Sequence, residues 1–356
     1  MRRRIVIAAK AAALLVCVAL LARALTKADW AASLARLASV GPAALLVLLP
    51  FPLGMALDGA AWGLLLARLG HRVPLARLFR VRMATEAVTI ALPAGGILTE
   101  ALGPVLLADR APIASSFTSS AAKRWLIIRT HGYYVVLAAI AGLGFLTDAS
   151  KTMLGHRALP GIVLGSAAAL VVVSIATQAA VTRMGIAARI HGALSRLKGS
   201  RWLGRLSAMA DDRASFERVD GELRELGAGW HVAPAALLLG TWMLESLETF
   251  LILRLLGAPV SYLDVVAVEA ALSVVRSAAV FAPAGLGVQD LGYLAFFAAL
   301  GIPEAAIVGP AFLVAKRSKE LFYVTTGMLL LVLARRPRAA ARSEPEIVGD
   351  EIERAA

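Results

Sequence analysis

Apolar runs of about 20 residues recur from one end of this chain to the other, and no other feature restricts its fold so severely. Each run is long enough to cross roughly 30 Å of hydrocarbon as a helix. Inside hydrocarbon every backbone N–H and C=O must be paired within the protein, which leaves helices and closed barrels as the spanning structures. Composition agrees: 59% of the 356 residues are hydrophobic and 17% are charged, against about 45–50% and about 25% in a soluble domain. Mean hydropathy is +0.75. The sequence therefore reads as an all-α, polytopic membrane helix bundle, with one integral membrane domain over residues 1–334.

Clear spans are Ile5–Leu25, Pro42–Leu66, Trp125–Leu146, Leu159–Thr182, Val232–Leu253 and roughly Leu313–Leu333. The first has a basic head, Met1–Arg4, but is long for a signal core and reads as a retained helix. The net charge of +13 sits mostly between spans. Five arginines and no acid lie between Arg68 and Arg82, and nine lysines and arginines against six acids lie between Arg183 and His231. By the positive-inside bias these segments, and both termini, are expected in the cytoplasm. Their counter-charge is expected to be anionic headgroups and not nucleic acid. Residues 187–226 have helical periodicity, with Phe216, Val219, Leu223 and Leu226 on one face, and read as an amphipathic loop on the membrane surface or over the bundle. Residues 335–356 read as a flexible cytoplasmic tail.

Two further apolar regions, Met83–Ala108 and Val265–Ala299, contain similar interruptions: "PAGGILTE" from Pro93 to Glu100 and "PAGLGVQD" from Pro283 to Asp290. Following the topology from span to span, each region must leave and return on one side of the membrane. That suits two broken or re-entrant helical hairpins, turned at Pro93, Gly95 and Gly96 and at Pro283, Gly285 and Gly287. Proline lacks an amide donor and glycine tolerates non-helical backbone. The similarity extends outward. "DGAAWGLLLARLG" (Asp58–Gly70) precedes the first motif and "ESLETFLILRLLG" (Glu245–Gly257) the second. "AAKR" ends at Arg124 and "VAKR" at Arg317. The halves, about 42–146 and 232–333, are expected to form an inverted internal repeat, the common plan of secondary transporters.

Carboxylates and bases inside apolar segments are costly and turn toward partners or cavities. The candidate substrate-binding set is Glu100, Lys123, Arg124 and Arg129 in the first half, with Arg276, Asp290, Lys316, Arg317, Lys319 and Glu320 in the second. Lys316 and Glu320, four apart, can share a helical face. Arginine's planar fork suits phosphate. Asp58, Glu245 and Glu248 are read as sealing the chamber, and Glu86, Glu269 and Arg276 as partners in internal ion pairs. His131, Tyr133 and Tyr134 read as a polar helix–helix face. Ser115, Ser116, Ser119 and Ser120 read as a loop that caps the helix before Lys123.

Other chemistries lack their residues. The five histidines are scattered, Cys17 is the only cysteine, and no metal-ligand spacing occurs. The glycine pairs are not followed by the Lys-Ser or Lys-Thr of a nucleotide-binding loop, and no serine nucleophile elbow is present. No cofactor is expected.

"FAPAGLGVQDLGYLAFFAALGIP" (Phe281–Pro303) and "LPAGGILTEALGPVLLADR" (Leu92–Arg110) resemble the transmembrane region of lysylphosphatidylglycerol synthases, a flippase-like family, with likeness over roughly Ile5 to Ala334. The departures are Thr99 where a glycine is common, Gln289 where an arginine is common, and Asp290 where Glu is usual. The resemblance implies a bacterial inner-membrane protein without the aminoacyl-transfer domain, similar in style to a hopanoid-biosynthesis-associated branch. It implies membrane lipids as partners, anionic or isoprenoid, and lipid-biosynthesis proteins. Three functions compete: a lipid transporter or flippase, an integral enzyme acting on a lipid headgroup or polyprenyl carrier, and a scaffold of a lipid-synthesis complex.

Overall fold

In a computed structural model, the described residues are 21–23, 25–26, 28–92, 95–184, 213–228, 231–278 and 287–334. Among them every regular element is helical. Pro93, Pro283 and Gly285, expected at the hairpin turns, lie outside the described residues, as do the tail and most of residues 187–226. The elements are α1 (Trp30–Ser39), a 3₁₀ segment (Gly41–Leu48), α2 (Pro50–Arg68), α3 (Leu75–Ala91), α4 (Gly95–Leu106), α5 (Ile113–Ala141) and α6 (Leu143–Leu154), followed by α7 (Leu159–Met184), α8 (Arg213–Ala228), α9 (Val232–Leu255), α10 (Tyr262–Ala278), α11 (Val288–Ala299) and α12 (Ala305–Ala334). Among the described residues Gly41–Arg68, α7 and α9 are each long and apolar enough to cross a membrane, and α5 with α6 passes the same test only as a bent pair, a broken span or a re-entrant loop. α12, 30 residues long, carries Lys316, Arg317, Lys319 and Glu320 in its middle.

The bend between α5 and α6 corrects the expected straight span Trp125–Leu146. The helices meet at 83° around Gly142. A Cβ there would stand 2.3 Å from Ala267 Cβ, so only glycine lets the corner close on α10. Hydropathy does not register this, because the apolar run continues through the corner. The serines of "ASSFTSSAAKR" are also corrected: they lie inside α5, whose N-cap is Pro112 with no side-chain cap bond.

α3 and α4 run antiparallel. Thr89 and Thr99 share a hydroxyl hydrogen bond (3.3 Å) near their closed end. At the open end Arg77 donates to the Leu106 carbonyl (2.8 Å) and to Asp109 (2.9 Å). Gly95 makes the turn possible, since a Cβ would lie 2.3 Å from the Val88 carbonyl oxygen. α10 and α11 also pack together: Tyr293 donates to Glu269 (2.5 Å), and a Cβ on Gly292 would touch Leu272.

Helix pairings repeat between the halves. α2 packs on α9, its counterpart. α3 packs on α12, and α10 on α5, the same pairing seen from either half. Within each half the first helix meets the second and fourth, and the third meets the second and fourth. The largest apolar core joins α5, α6, α7, α9, α10, α11 and α12, with Tyr293, Phe297 and Phe312 fully buried in it. The amphipathic helix takes the second of its two expected positions: Val219, Leu223 and Leu226 of α8 pack with Ala122, Trp125 and Leu126 of α5.

Candidate functional site, a charged chamber between the halves

Each half buries an acid on its first long helix and brings bases to it. In the first half, Asp58 of α2 is 5% exposed. It meets Lys123 of α5 at 2.5 Å and Arg82 of α3 at 2.6 Å. In the second, Glu245 of α9 meets Arg276 of α10 at 2.6 Å. One turn on, Glu248 holds Lys319 of α12 at 2.5 Å and Lys316 at 3.7 Å. The two acids share a face because they stand three apart on a helix. The acids that close the two sequence motifs pair alike. Glu100 of α4 faces Arg124 (3.3 Å) and accepts from Ser120 (2.9 Å). Asp290 of α11 faces Arg317 (2.6 Å), accepts from the Gly287 amide (3.1 Å) and so ties down the start of its helix.

The lysines rest on aromatic faces. Lys123 lies 5.1 Å over Trp62, and Lys316 lies 5.1 Å over Tyr293. The aromatic changes helix between the halves. Trp62 stands four residues after Asp58, where the second half has Thr249 after Glu245. Tyr293 stands three after Asp290, where the first half has Gly103 after Glu100. Gly103 leaves room for the Trp62 ring: a Cβ there would lie 3.2 Å from it, and the indole would have to give by a few tenths of an ångström. Thr249 instead donates to Glu269 (2.5 Å), beside the Tyr293 hydroxyl.

Between the halves lies a cavity of about 510 Å³. Asp58, Arg82, Glu86 and Arg124 line it from one half, and Glu245, Glu248, Arg276, Lys316, Lys319 and Glu320 from the other. Phe51, Ile90 and Trp242 form apolar wall. A second chamber of about 140 Å³ adjoins it, sharing Arg82, Glu86, Thr89, Arg124 and Ile127, and reaches Gly96, Thr99, Glu100, Ser120 and Lys123. The base of each ion pair named here is already matched to an acid. That offsets most of the several kcal/mol that burying each ion costs.

The structure draws Glu100, Lys123, Arg124, Arg276, Lys316, Lys319 and Glu320 around the two chambers. Asp290 and Arg317 pair behind the wall, with Arg317 also holding Glu320 at 2.5 Å. That pairing replaces the expected Lys316–Glu320 contact: a spacing of four permits contact, but Lys316 finds Glu248 across the bundle. Arg129 does not join the set. It donates to Gln178 of α7, away from both chambers. Asp58, Glu245 and Glu248, expected to seal the chamber, are among the residues that line it.

Sequence reading missed Trp242. It lines the chamber, stacks on His131 (4.2 Å), and its indole N–H has no hydrogen-bond partner among the described residues. Gln289 was noted only as a departure; it lines the chamber and donates to the Tyr293 hydroxyl (3.1 Å). No sequence signal marks either, since their role comes from helices meeting in space. Tyr134 fits the helix-contact expectation, bonding Ser246 (2.7 Å) and donating to the Val266 carbonyl (3.1 Å). Tyr133 is 46% exposed and takes no part.

No group of three or more His, Cys, Asp or Glu residues is placed to hold a metal ion among the described residues. The family model for the lysylphosphatidylglycerol synthase TM region matches residues 8–316. The chain belongs to this family. It is thus a multi-pass, flippase-like membrane protein, matched to the membrane region and not to a catalytic part of such synthases. Comparison with curated proteins gave no match, and comparison with solved structures gave none.

Proposed function

We propose that this chain carries the headgroup of a lipid, or of a lipid-linked precursor, through the membrane by way of the charged chamber, as a non-enzymatic transporter. The observation that carries the reading is the chamber itself: about 510 Å³ of space walled by ionised side chains from both halves of an apolar bundle. A headgroup crossing hydrocarbon unaided must shed its water. Here its anionic oxygen exchanges with a carboxylate for an arginine or lysine, while its hydroxyls or ammonium take up the released carboxylate. The charges remain paired throughout, which keeps the desolvation cost low. The acyl or isoprenoid tails stay in lipid.

In this reading the α3–α4 and α10–α11 pairs are two re-entrant hairpins that enter from opposite faces of an inverted repeat. The arginine-rich segments mark the cytoplasmic side of a bacterial inner membrane. The matched ion pairs Glu100–Arg124 and Asp290–Arg317 tie each hairpin to the fourth helix of its own half. Breaking one set at a time opens the chamber to one side at a time. The test is leaflet exchange of fluorescent lipids in proteoliposomes, across a panel of headgroups. Protein-dependent exchange is expected, and Glu100→Gln/Asp290→Asn is expected to abolish it. An absence of protein-dependent exchange over the whole panel would overturn the proposal.

A further inference from the structure

A further, apolar cavity of about 360 Å³ lies between the end of α1, the 3₁₀ segment, α9 and α12. Leu45, Val47, Ile252, Leu255 and Phe322 line it. One side chain, Lys319, lines both this groove and the charged chamber. Its ammonium sits 2.5 Å from Glu248 and 5.2 Å from the Phe51 ring centre, and both those residues face the chamber. Lys319 is 7% exposed. A lysine with an apolar stem and a charged tip is suited to such a boundary. The groove's rim is braced by Phe51 stacked on Tyr323 (4.3 Å), and the Tyr323 hydroxyl donates to the Leu48 carbonyl. The wall it braces is a 3₁₀ helix, whose poorer hydrogen-bond geometry makes it the easiest wall to displace.

We infer that this groove seats a hydrocarbon chain of the same amphiphile whose headgroup occupies the chamber, with Lys319 marking the junction between head and tail. The inference rests on the chamber being a headgroup site. Charge and apolarity meet there in the order an amphiphile presents them: an anionic oxygen at Lys319 competing with Glu248, and the chain running outward past Val47, Ile252 and Phe322. The basic groove lined by Arg77, Arg80 and Arg110 at the open end of α3–α4 has no such continuity with the chamber.

Two probes separate the claims: phosphatidylglycerol with a nitroxide midway along one acyl chain, read by spin-label spectroscopy in nanodiscs, and soluble glycerol phosphate, titrated by calorimetry. Ala44→Trp fills the groove from an exposed position on its 3₁₀ wall. Ser318→Trp fills it from the α12 wall, also from an exposed position, and guards against a folding failure of the first variant. Ala169→Trp is the control, exposed on α7 and lining neither cavity. Both groove variants are expected to weaken chain immobilisation about tenfold or more, with glycerol phosphate affinity unchanged. Lys319→Met is expected to do the reverse, retaining the chain while losing glycerol phosphate. Wild-type chain immobilisation in Ala44→Trp and Ser318→Trp overturns the groove assignment alone. Failure of the wild-type protein to bind either probe overturns the headgroup reading beneath it.

Discussion

Replacing Glu248 by Gln probes the electrostatics of the chamber directly. Glu248 is 3% exposed and serves two buried lysines, Lys319 at 2.5 Å and Lys316 at 3.7 Å. Its loss strands both ammonium groups, and breaking a buried pair from one side costs about 3–5 kcal/mol. The aromatic contacts of Lys319 with Phe51 (5.2 Å) and Lys316 with Tyr293 (5.1 Å) remain, each worth about 2 kcal/mol in so desolvated a place, less than the lost pairing. Lys319→Gln alone is expected to cost less, about 1–3 kcal/mol, because Glu248 keeps Lys316. The double variant Glu248→Gln/Lys319→Gln removes the stranded charge nearest the acid. Its cost is expected to fall short of the sum of the singles by about 1.5 kcal/mol or more. Denaturant unfolding in detergent, followed by tryptophan fluorescence, yields the three free energies. Additivity within about 0.5 kcal/mol would show that the two groups are energetically independent, and would refute the paired-charge account of the chamber.

The other predictions concern packing and the relation between the halves. Gly327→Ala places a Cβ 2.4 Å from the Met83 carbonyl oxygen, so α12 must lift off α3. A loss of about 1–3 kcal/mol is expected by the same unfolding measurement, while Gly165→Ala, with nothing within 4 Å, is expected to lose none. Trp62→Thr and Gly103→Tyr are each expected to lower the melting temperature, and the double variant, which copies the second half's arrangement, to recover much of the loss. A double variant no better than Gly103→Tyr would contradict the proposed correspondence of these positions. Tyr134→Phe removes bonds to Ser246 (2.7 Å) and the Val266 carbonyl (3.1 Å), and about 0.5–1.5 kcal/mol of stability is expected to go with them.

Much of the fold was legible because lipid as solvent restricts the choices. Apolar run length located the helices now seen at Pro50–Arg68, Leu159–Met184 and Val232–Leu255. The twinned motifs located Glu100 and Asp290, and the twinned "AAKR" and "VAKR" located Lys123, Arg124, Lys316 and Arg317. What spacing could not supply was the partner across the bundle. Lys316 could have met Glu320 along its own helix, and only the approach of α9 to α12 gives it Glu248. Arg129 stands two residues past Ile127, which lines the chamber, and so points from another face of α5 to Gln178. The corner at Gly142 was hidden because hydropathy is blind to direction. The exchange of Trp62 for Tyr293 was hidden because each aromatic compensates a small residue on a different helix.

The proposed arrangement turns the two halves to face the membrane in opposite senses, so that one chamber can open to either side. It is tested most directly by single cysteines in a Cys17→Ser background: Ala108→Cys, just past α4 at the open end of the α3–α4 pair, and Ser261→Cys, at the start of α10, both exposed. A membrane-impermeant maleimide applied to sealed, oriented vesicles is predicted to reach Ala108→Cys only from the cytoplasmic side and Ser261→Cys only from the opposite side. Labelling of both cysteines from the same side would contradict the claim.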